Sequence, residues 1–319
     1  MKLVTYKTAA SESIGVLIGG STILDLPRAV RRHQERQPHT DGKAANFPKT
    51  MQGLIEGADW TVDIVEALLE EFPHDKDSTF SVKEEDILAP LPRPTKNVYC
   101  VGRNYIEHVA EGDRAQNRSH ELPVVPQFFT KPPTAVSGPY SNIKFHSDVT
   151  SELDYEIELA VIIGKRGTNI SEASALDHIF GFSIINDITA RDLQRKHGQW
   201  FKGKALDGSC IFGPCIVPRS HWIENLTGSI KLWVNGQLRQ SSTTDNMIFG
   251  IPKIIASLSA GLTLEPGDII ATGTPSGVGY AMTPPHFLKG GDTVLGEIEG
   301  IGHVKNVVEE FGSVTGMVA

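Results

Sequence analysis

The chain has 319 residues, 39% hydrophobic and 21% charged, which is room for one large domain with a smaller attachment around a buried core. Lysines and arginines number 30 against 38 acids, a formal net charge of −8. With the acids dispersed along the chain, that balance argues against a nucleic-acid backbone as the main partner, although a local basic pocket for a small anion remains compatible with it. Cys100, Cys210 and Cys215 are too few and too irregularly spaced for a disulfide framework or zinc ribbon, so they read as buried free thiols. No secretory h-region opens the chain, and no apolar run approaches the roughly 20 residues that span a bilayer. The expectation is a cytoplasmic protein without a membrane segment.

In chain order, KLVTYKT (2–8) and IGVLIGGSTILDL (14–26) read as short strands with a turn at Gly19 and Gly20. RAVRRHQER (28–36) reads as a solvated helix face. MQGLIEG (51–57) is a short helix, and WTVDIVEALLEEF (60–72) has helical apolar spacing at Val62, Ile64, Val65, Leu68 and Leu69. Pro90, Pro92 and Pro94 then favour an extended connection. We therefore expect a small N-terminal α+β domain over 1–93 and the main, strand-rich domain over 94–319. Strands are predicted at NVYCVG, QFFTK, LDYEIELAVIIGK, FGFSIIND, SIKLWVNGQ and DIIATGT, with a helix over ISEASALDHIF capped by Ser171. The fold class is mixed α+β.

LDYEIEL is the most informative stretch. Strict alternation predicts a strand with Asp154, Glu156 and Glu158 on one face. One reading is a half-exposed strand whose acids meet water. The other is a cation site, because the two glutamates sit about 7 Å apart along a strand and the segment runs into apolar AVIIG, where unpaired acids are costly. Asp187 closes the next apolar strand. Three carboxylates without a thiolate or histidine cluster suit Mg²⁺ or Mn²⁺, with Ca²⁺ also admissible, rather than structural zinc.

In GRNYIEHVAE (102–111), His108 and Glu111 are three apart and share a face if the segment is helical. A carboxylate beside a histidine orients the ring and raises its basicity, as a general base requires; an ordinary surface pair fits the same spacing. The polar GDRAQNRSHELP (112–123) reads as a loop and a mobile cover. Lys131, Arg191, Gln194, Lys204 and Thr274 are further cationic and polar candidates. A G-x-S-x-G elbow is missing, and GTPSGVG matches neither G-x-G-x-x-G nor a P-loop, so nucleotide use is unsupported.

The succession GRNYxxHxxE, FFxKP, DYExELAVxIGK, NDxTARDLQ, GK, GTPxGVG and LKGGDxVxxEIExIG, from about Val98 to Val308, resembles the fumarylacetoacetate hydrolase superfamily, in particular its domain-containing-protein members. The resemblance implies a β-roll or sandwich catalytic domain, usually homodimeric, behind a smaller N-terminal domain. It implies metal ligands at Glu156, Glu158 and Asp187 and a catalytic dyad at His108 and Glu111, with Lys204 or Arg103 neutralising developing charge. Substrate contacts would come from Arg103, Tyr105, Lys131, Arg191, Gln194, Lys204 and Thr274. Two positions depart from the family pattern. Val101 stands where the eponymous hydrolase has a fourth acidic ligand, and ALDGSCIFGP follows Lys204 where relatives often carry Ser-Phe-Asp-Thr-Phe.

The expected activity is metal-dependent hydrolysis of a carbon–carbon bond in a small 2,4-diketo acid, with His108 activating water. An oxaloacetate-type decarboxylase, a hydratase or a keto–enol isomerase on the same metal–enolate chemistry is the alternative. A non-catalytic binding protein is more remote, because acids, dyad and anion-binding residues occur together.

Overall fold

The computed structural model describes residues 1–9, 11–36, 46–222 and 227–311. Strands β1 (Leu3–Lys7), β2 (Glu12–Gly19) and β3 (Thr22–Asp25) lead into helices α1 (Leu26–Arg36), α2 (Met51–Gly57) and α3 (Asp59–Glu71), then β4 (Thr79–Ser81). After the proline-rich stretch come β5 (Val98–Gly102), α4 (Ile106–Ala115), β6 (Gln127–Lys131), β7 (Val136–Ser137), β8 (Ile143–Phe145), β9 (Leu153–Asp154) and β10 (Ile157–Ile163). β11 (Ile179–Asp187), β12 (Thr189–Ala190), α5 (Arg191–Lys196), α6 (Phe201–Lys204) and β13 (Cys210–Pro218) follow. The chain closes with β14 (Ser229–Val234), β15 (Gln237–Thr243), α7 (Ile251–Ser259), β16 (Ile269–Ala271), β17 (Thr293–Ile298) and β18 (Gly302–Glu310). Among the described residues no helix is long and apolar enough to cross a membrane.

The strands form a large mixed sheet in the order β4-β3-β2-β1-β13-β11-β10-β16-β5-β6, with β7 beside β13, and a second sheet in the order β15-β14-β17-β18-β8. Side-chain alternation along β10 explains how both faces are filled. Ile157, Leu159, Val161 and Ile163 join Ile230, Leu232, Val294 and Val304 of the second sheet in one core. Ala160 and Ile162 face the other way and share a core with Leu54, Ile55, Val65 and Leu68 from α2 and α3. Every residue of β10, β11 and β13 is buried, Glu158, Asn186 and Asp187 along with the apolar side chains.

The proline-rich connection, residues 88–97, contains no helix or strand. Sheet and core nevertheless run across it. β1 pairs with β13 through Leu3 and Ile216, and Leu3, Val16 and Leu24 pack in the same core as Phe212 and Ile216. All three cysteines are buried and free.

Three local expectations need correction. LDYEIEL is two strands rather than one: the Glu156 amide donates to the Asn186 side chain at 3.0 Å instead of to a ladder carbonyl, and Leu153 and Asp154 pair with β12. The segment after Ser171 is a 3₁₀ helix, although Ser171 does cap it, its hydroxyl accepting from Ser174 N at 3.3 Å. Finally, the supposed loop at 112–115 is the last turn of α4, in which Gly112 and Asp113 are buried.

Candidate active site

Strand pairing brings the acids together. β10 and β11 are antiparallel with Glu158 opposite Ile185, and Asp187 N donates to Glu156 O at 2.8 Å just beyond the end of β10. Residues directly across an antiparallel pair share a face. Glu156, Glu158 and Asp187 therefore project to the same side, with oxygens within 4.8 Å of one another. They are 5%, 1% and 0% exposed, which removes the water-facing reading of the strand.

Two lysines meet this cluster. Lys204, at the end of α6, places Nζ 2.7 Å from Glu156 Oε2 and 2.7 Å from Asp187 Oδ2. Lys131, at the end of β6, stands 2.6 Å from Asp187 Oδ1 as an ion pair lacking hydrogen-bond alignment. Arg191 at the start of α5 donates from Nε to Asp154 Oδ2 at 2.9 Å and lies 2.7 Å from Glu156 Oε1, stacked over Tyr280. Asp154 is not a fourth acid of the cluster. It accepts from the amides of Gly279 and Tyr280 as well as from Arg191, and so fixes that arginine to the glycine-rich turn.

Charge balance within the cluster is incomplete. Lys204, Lys131 and Arg191 crowd Glu156 and Asp187, whereas among the described residues no side-chain cation is paired with Glu158. Burial opposes ionisation of Glu156, but Lys204 and Arg191 outweigh it and its carboxyl falls to about 2. Glu158 goes the other way: burial, then the charges of Asp187 and Glu156, hold it well above the ordinary carboxylate range. Burial opposes the charge of Lys204, yet Asp187 and Glu156 raise its pKa and keep it an ammonium. A buried set of hard oxygen donors, one of which has no cationic partner among the described residues, fits a divalent cation.

The glycine-rich turn at 271–279 serves this site through its backbone. Gly273 N donates to Glu158 Oε2 at 2.8 Å and Gly277 N to Glu111 Oε2 at 2.9 Å. Both glycines have positive φ, +100° and +107°, and a Cβ on Gly277 would lie 1.9 Å from Arg239 O.

His108 and Glu111 do share one face of α4, with Nδ1 2.9 Å from Oε1. The Glu111 carboxylate can only accept, so Nδ1 donates this bond, and in the neutral ring Nε2 keeps the lone pair. His108 lines a cleft of about 640 Å³ together with Glu156, Glu158, Arg191, Gln194 and Lys204, while Glu111 stands behind it. Arg103 and Thr274 line the same cleft.

Several expected substrate contacts are otherwise engaged. Lys131 is fully buried and donates to Ile188 O at 3.1 Å, Ser209 O at 2.9 Å and Lys204 O, so it braces the cluster from behind. Tyr105 is 2% exposed and absent from the cleft lining. Arg103, with a left-handed backbone at φ +56°, grips Asp113 through both terminal nitrogens at 2.8 and 3.1 Å and donates to Glu121 O at 2.9 Å. Thr274 gives its hydroxyl proton to Ile157 O at 2.8 Å. Sequence reasoning missed Arg118 and Tyr280, which also line the cleft, and Trp200, which covers Gly102 so closely that a Cβ there would lie 2.1 Å from its ring.

The site is thus a strand-rich α+β frame in which a buried carboxylate cluster that could hold a metal ion shares one cleft with a histidine backed by a glutamate. Residues 97–309 match the family model for the fumarylacetoacetate hydrolase C-terminal domain, and the chain belongs to the fumarylacetoacetate hydrolase family. It is 43% identical over 313 residues to the oxaloacetate tautomerase YisK of Bacillus subtilis strain 168, covering 97% of this chain and 100% of that protein. It is 41% identical over 265 residues to the mitochondrial oxaloacetate tautomerase FAHD2B of Bos taurus, covering 82% of this chain and 80% of that one. Among solved structures, a fumarylacetoacetate hydrolase from psychrophilic Exiguobacterium antarcticum superimposes with a TM-score of 0.78 at 38% identity, over 98% of this chain and 100% of that one.

Proposed function

We propose that the chain is a keto–enol tautomerase of a small 2-oxo acid of the oxaloacetate type, working with Mg²⁺ or Mn²⁺. The observation that carries this reading is the 43% identity to an oxaloacetate tautomerase along the whole of both chains. The geometry is consistent with it. Tautomerisation moves one proton between a carbon and an oxygen, with the double bond shifting from C=O to C=C; no water is consumed and no carbon–carbon bond breaks. It calls for one base facing one electrophilic centre, and His108 lines the cleft with the acid cluster.

Glu156, Glu158 and Asp187 would hold a divalent cation, which would supply Lewis acidity toward the 2-oxo group and so acidify the neighbouring C–H. His108 Nε2 takes the C3 proton, and Glu111, itself fixed by Gly277 N, stabilises the imidazolium. The same nitrogen returns the proton to the enol oxygen, or a solvent proton replaces it. Lys204 and Arg191 hold positive charge where negative charge develops on oxygen.

Hydrolysis of a carbon–carbon bond is the second reading, favoured by the 38% identity to the Exiguobacterium hydrolase. The deciding experiment follows decay of enol-oxaloacetate by ultraviolet absorbance and, in parallel, cleavage of an acylpyruvate, each with Mg²⁺ and with Mn²⁺. Accelerated enol–keto exchange without acylpyruvate cleavage is the expected result. Acylpyruvate cleavage without any effect on enol-oxaloacetate replaces the tautomerase with the hydrolase.

A further inference from the structure

Five permanent cations line the cleft: Arg103, Arg118, Arg191, Arg195 and Lys204. Four already have acids. Lys204 spans Glu156 and Asp187, Arg191 joins Asp154 and Glu156, Arg103 holds Asp113, and Arg195 lies 2.6 Å from Glu152 Oε2. Among the described residues, the Arg118 guanidinium has neither an ion pair nor a hydrogen bond.

The segment carrying Arg118 is nevertheless anchored. Its own amide donates to Asp113 O at 2.9 Å. Asp113, 2% exposed, is clamped by the Arg103 fork, which also reaches forward to Glu121 O. Backbone bonds from Gln116 N to Gly112 O and from Asn117 N to Arg114 O tighten the turn between these anchors. Arg118 is exposed and its guanidinium has no partner among the described residues, but the turn that carries it is anchored and the side chain lines the cleft, where it offers a complement to a negative group. Its planar fork matches a carboxylate in two parallel hydrogen bonds.

We propose that Arg118 is a specificity-determining residue that receives the second, distal carboxylate of the substrate, making the enzyme selective for 2-oxo dicarboxylic acids over 2-oxo monocarboxylic acids. The assignment deepens the tautomerase reading and rests on it only in seating the 2-oxo acid end at the carboxylate cluster. That end engages Lys204, Arg191 and the cation, and Arg118 sorts what lies beyond it.

Binding tests this without turnover. Calorimetric titration of the full-length protein with Mg²⁺ compares malate with 2-hydroxybutanoate, which has the same carbon count and a methyl group in place of the distal carboxylate. Wild type should bind malate about tenfold more tightly or better, Arg118→Ala should bring the two within about twofold, and Arg118→Lys should fall between, as one charge-assisted contact predicts. A malate preference that survives Arg118→Ala, or no preference in wild type, overturns the assignment. The enol-oxaloacetate assay on the same preparations reads the reaction separately. Failure there with an Arg118-dependent malate preference intact removes the tautomerase and leaves a dicarboxylate-selective site.

Discussion

Lys131 Nζ stands 2.6 Å from Asp187 Oδ1 with neither side chain reaching solvent. The lysine also ties together the carbonyls of Ile188, Lys204 and Ser209, so one ammonium fixes the turn after β11, the end of α6 and an acid of the cluster. Lys131→Met removes a charge that three carbonyls and a carboxylate share. It should cost about 3–5 kcal/mol of folding stability, the usual result of breaking a buried pair from one side. Urea unfolding measures this; a loss below 1 kcal/mol would mean that Lys131 does not brace the site.

Glu158 separates the needs of folding from those of metal binding. Burial and the neighbouring charges of Asp187 and Glu156 hold its carboxyl well above the ordinary range, so ionising it works against the metal-free fold. Glu158→Gln should leave the metal-free protein as stable as wild type or more so. Its Mn²⁺ affinity should fall by more than the about 10–100-fold typical of an outer-sphere partner. Thermal melts with EDTA and with Mn²⁺ read both halves. A metal-free Glu158→Gln that melts well below wild type contradicts the charge argument.

How far the sequence reveals this arrangement depends on the range of each interaction. Alternation in LDYEIEL and the position of Asp187 at a strand end sufficed to group three acids, because antiparallel pairing repeats every two residues. The break at Tyr155 was not legible, since it depends on the Asn186 side chain, 30 positions away, taking the Glu156 amide. Burial of Lys131 was equally hidden, because lysines overwhelmingly solvate surfaces and nothing local marks the exception. Arg103 resembled a substrate arginine; its commitment to Asp113 appears only once α4 folds back toward it. The glycines of GTPSGVG mark a turn in the sequence, yet which carboxylates its amides meet is a tertiary fact.

The Arg103–Asp113 clamp predicts a local acid sensitivity. Hydrogen bonding from Arg103 holds the Asp113 carboxyl below its ordinary value. A depressed folded pKa means that the stabilisation is complete above the unfolded value, about 3.9, and is lost as pH falls through the folded one. The segment at 113–121 should therefore stay protected above about pH 4, the unfolded carboxylate value, and open in stronger acid. Asp113→Asn should open it at neutral pH, weakening local protection by about 1–2 kcal/mol. Amide exchange across this segment is the measurement, and unchanged exchange in Asp113→Asn would show that the clamp does not hold it.

His108 and Glu111 should behave as one unit. Glu111 Oε1 lies 2.9 Å from His108 Nδ1, and its other oxygen is occupied by Gly277 N, so it acts on substrate only through the ring. His108→Ala should lower kcat for enol-oxaloacetate by about 10²–10⁴-fold, the span of general acid–base catalysis, with Mn²⁺ affinity nearly unchanged because neither residue belongs to the carboxylate cluster. Glu111→Gln keeps the shape and weakens the imidazolium, so kcat should fall while KM moves little. In the double variant the loss should match that of His108→Ala alone, since no ring remains for Glu111 to orient. Equal and additive losses would give Glu111 an independent role. Full turnover in His108→Ala would move the proton transfer to another group in the cleft, with Tyr280, stacked on Arg191, the first to replace by Phe.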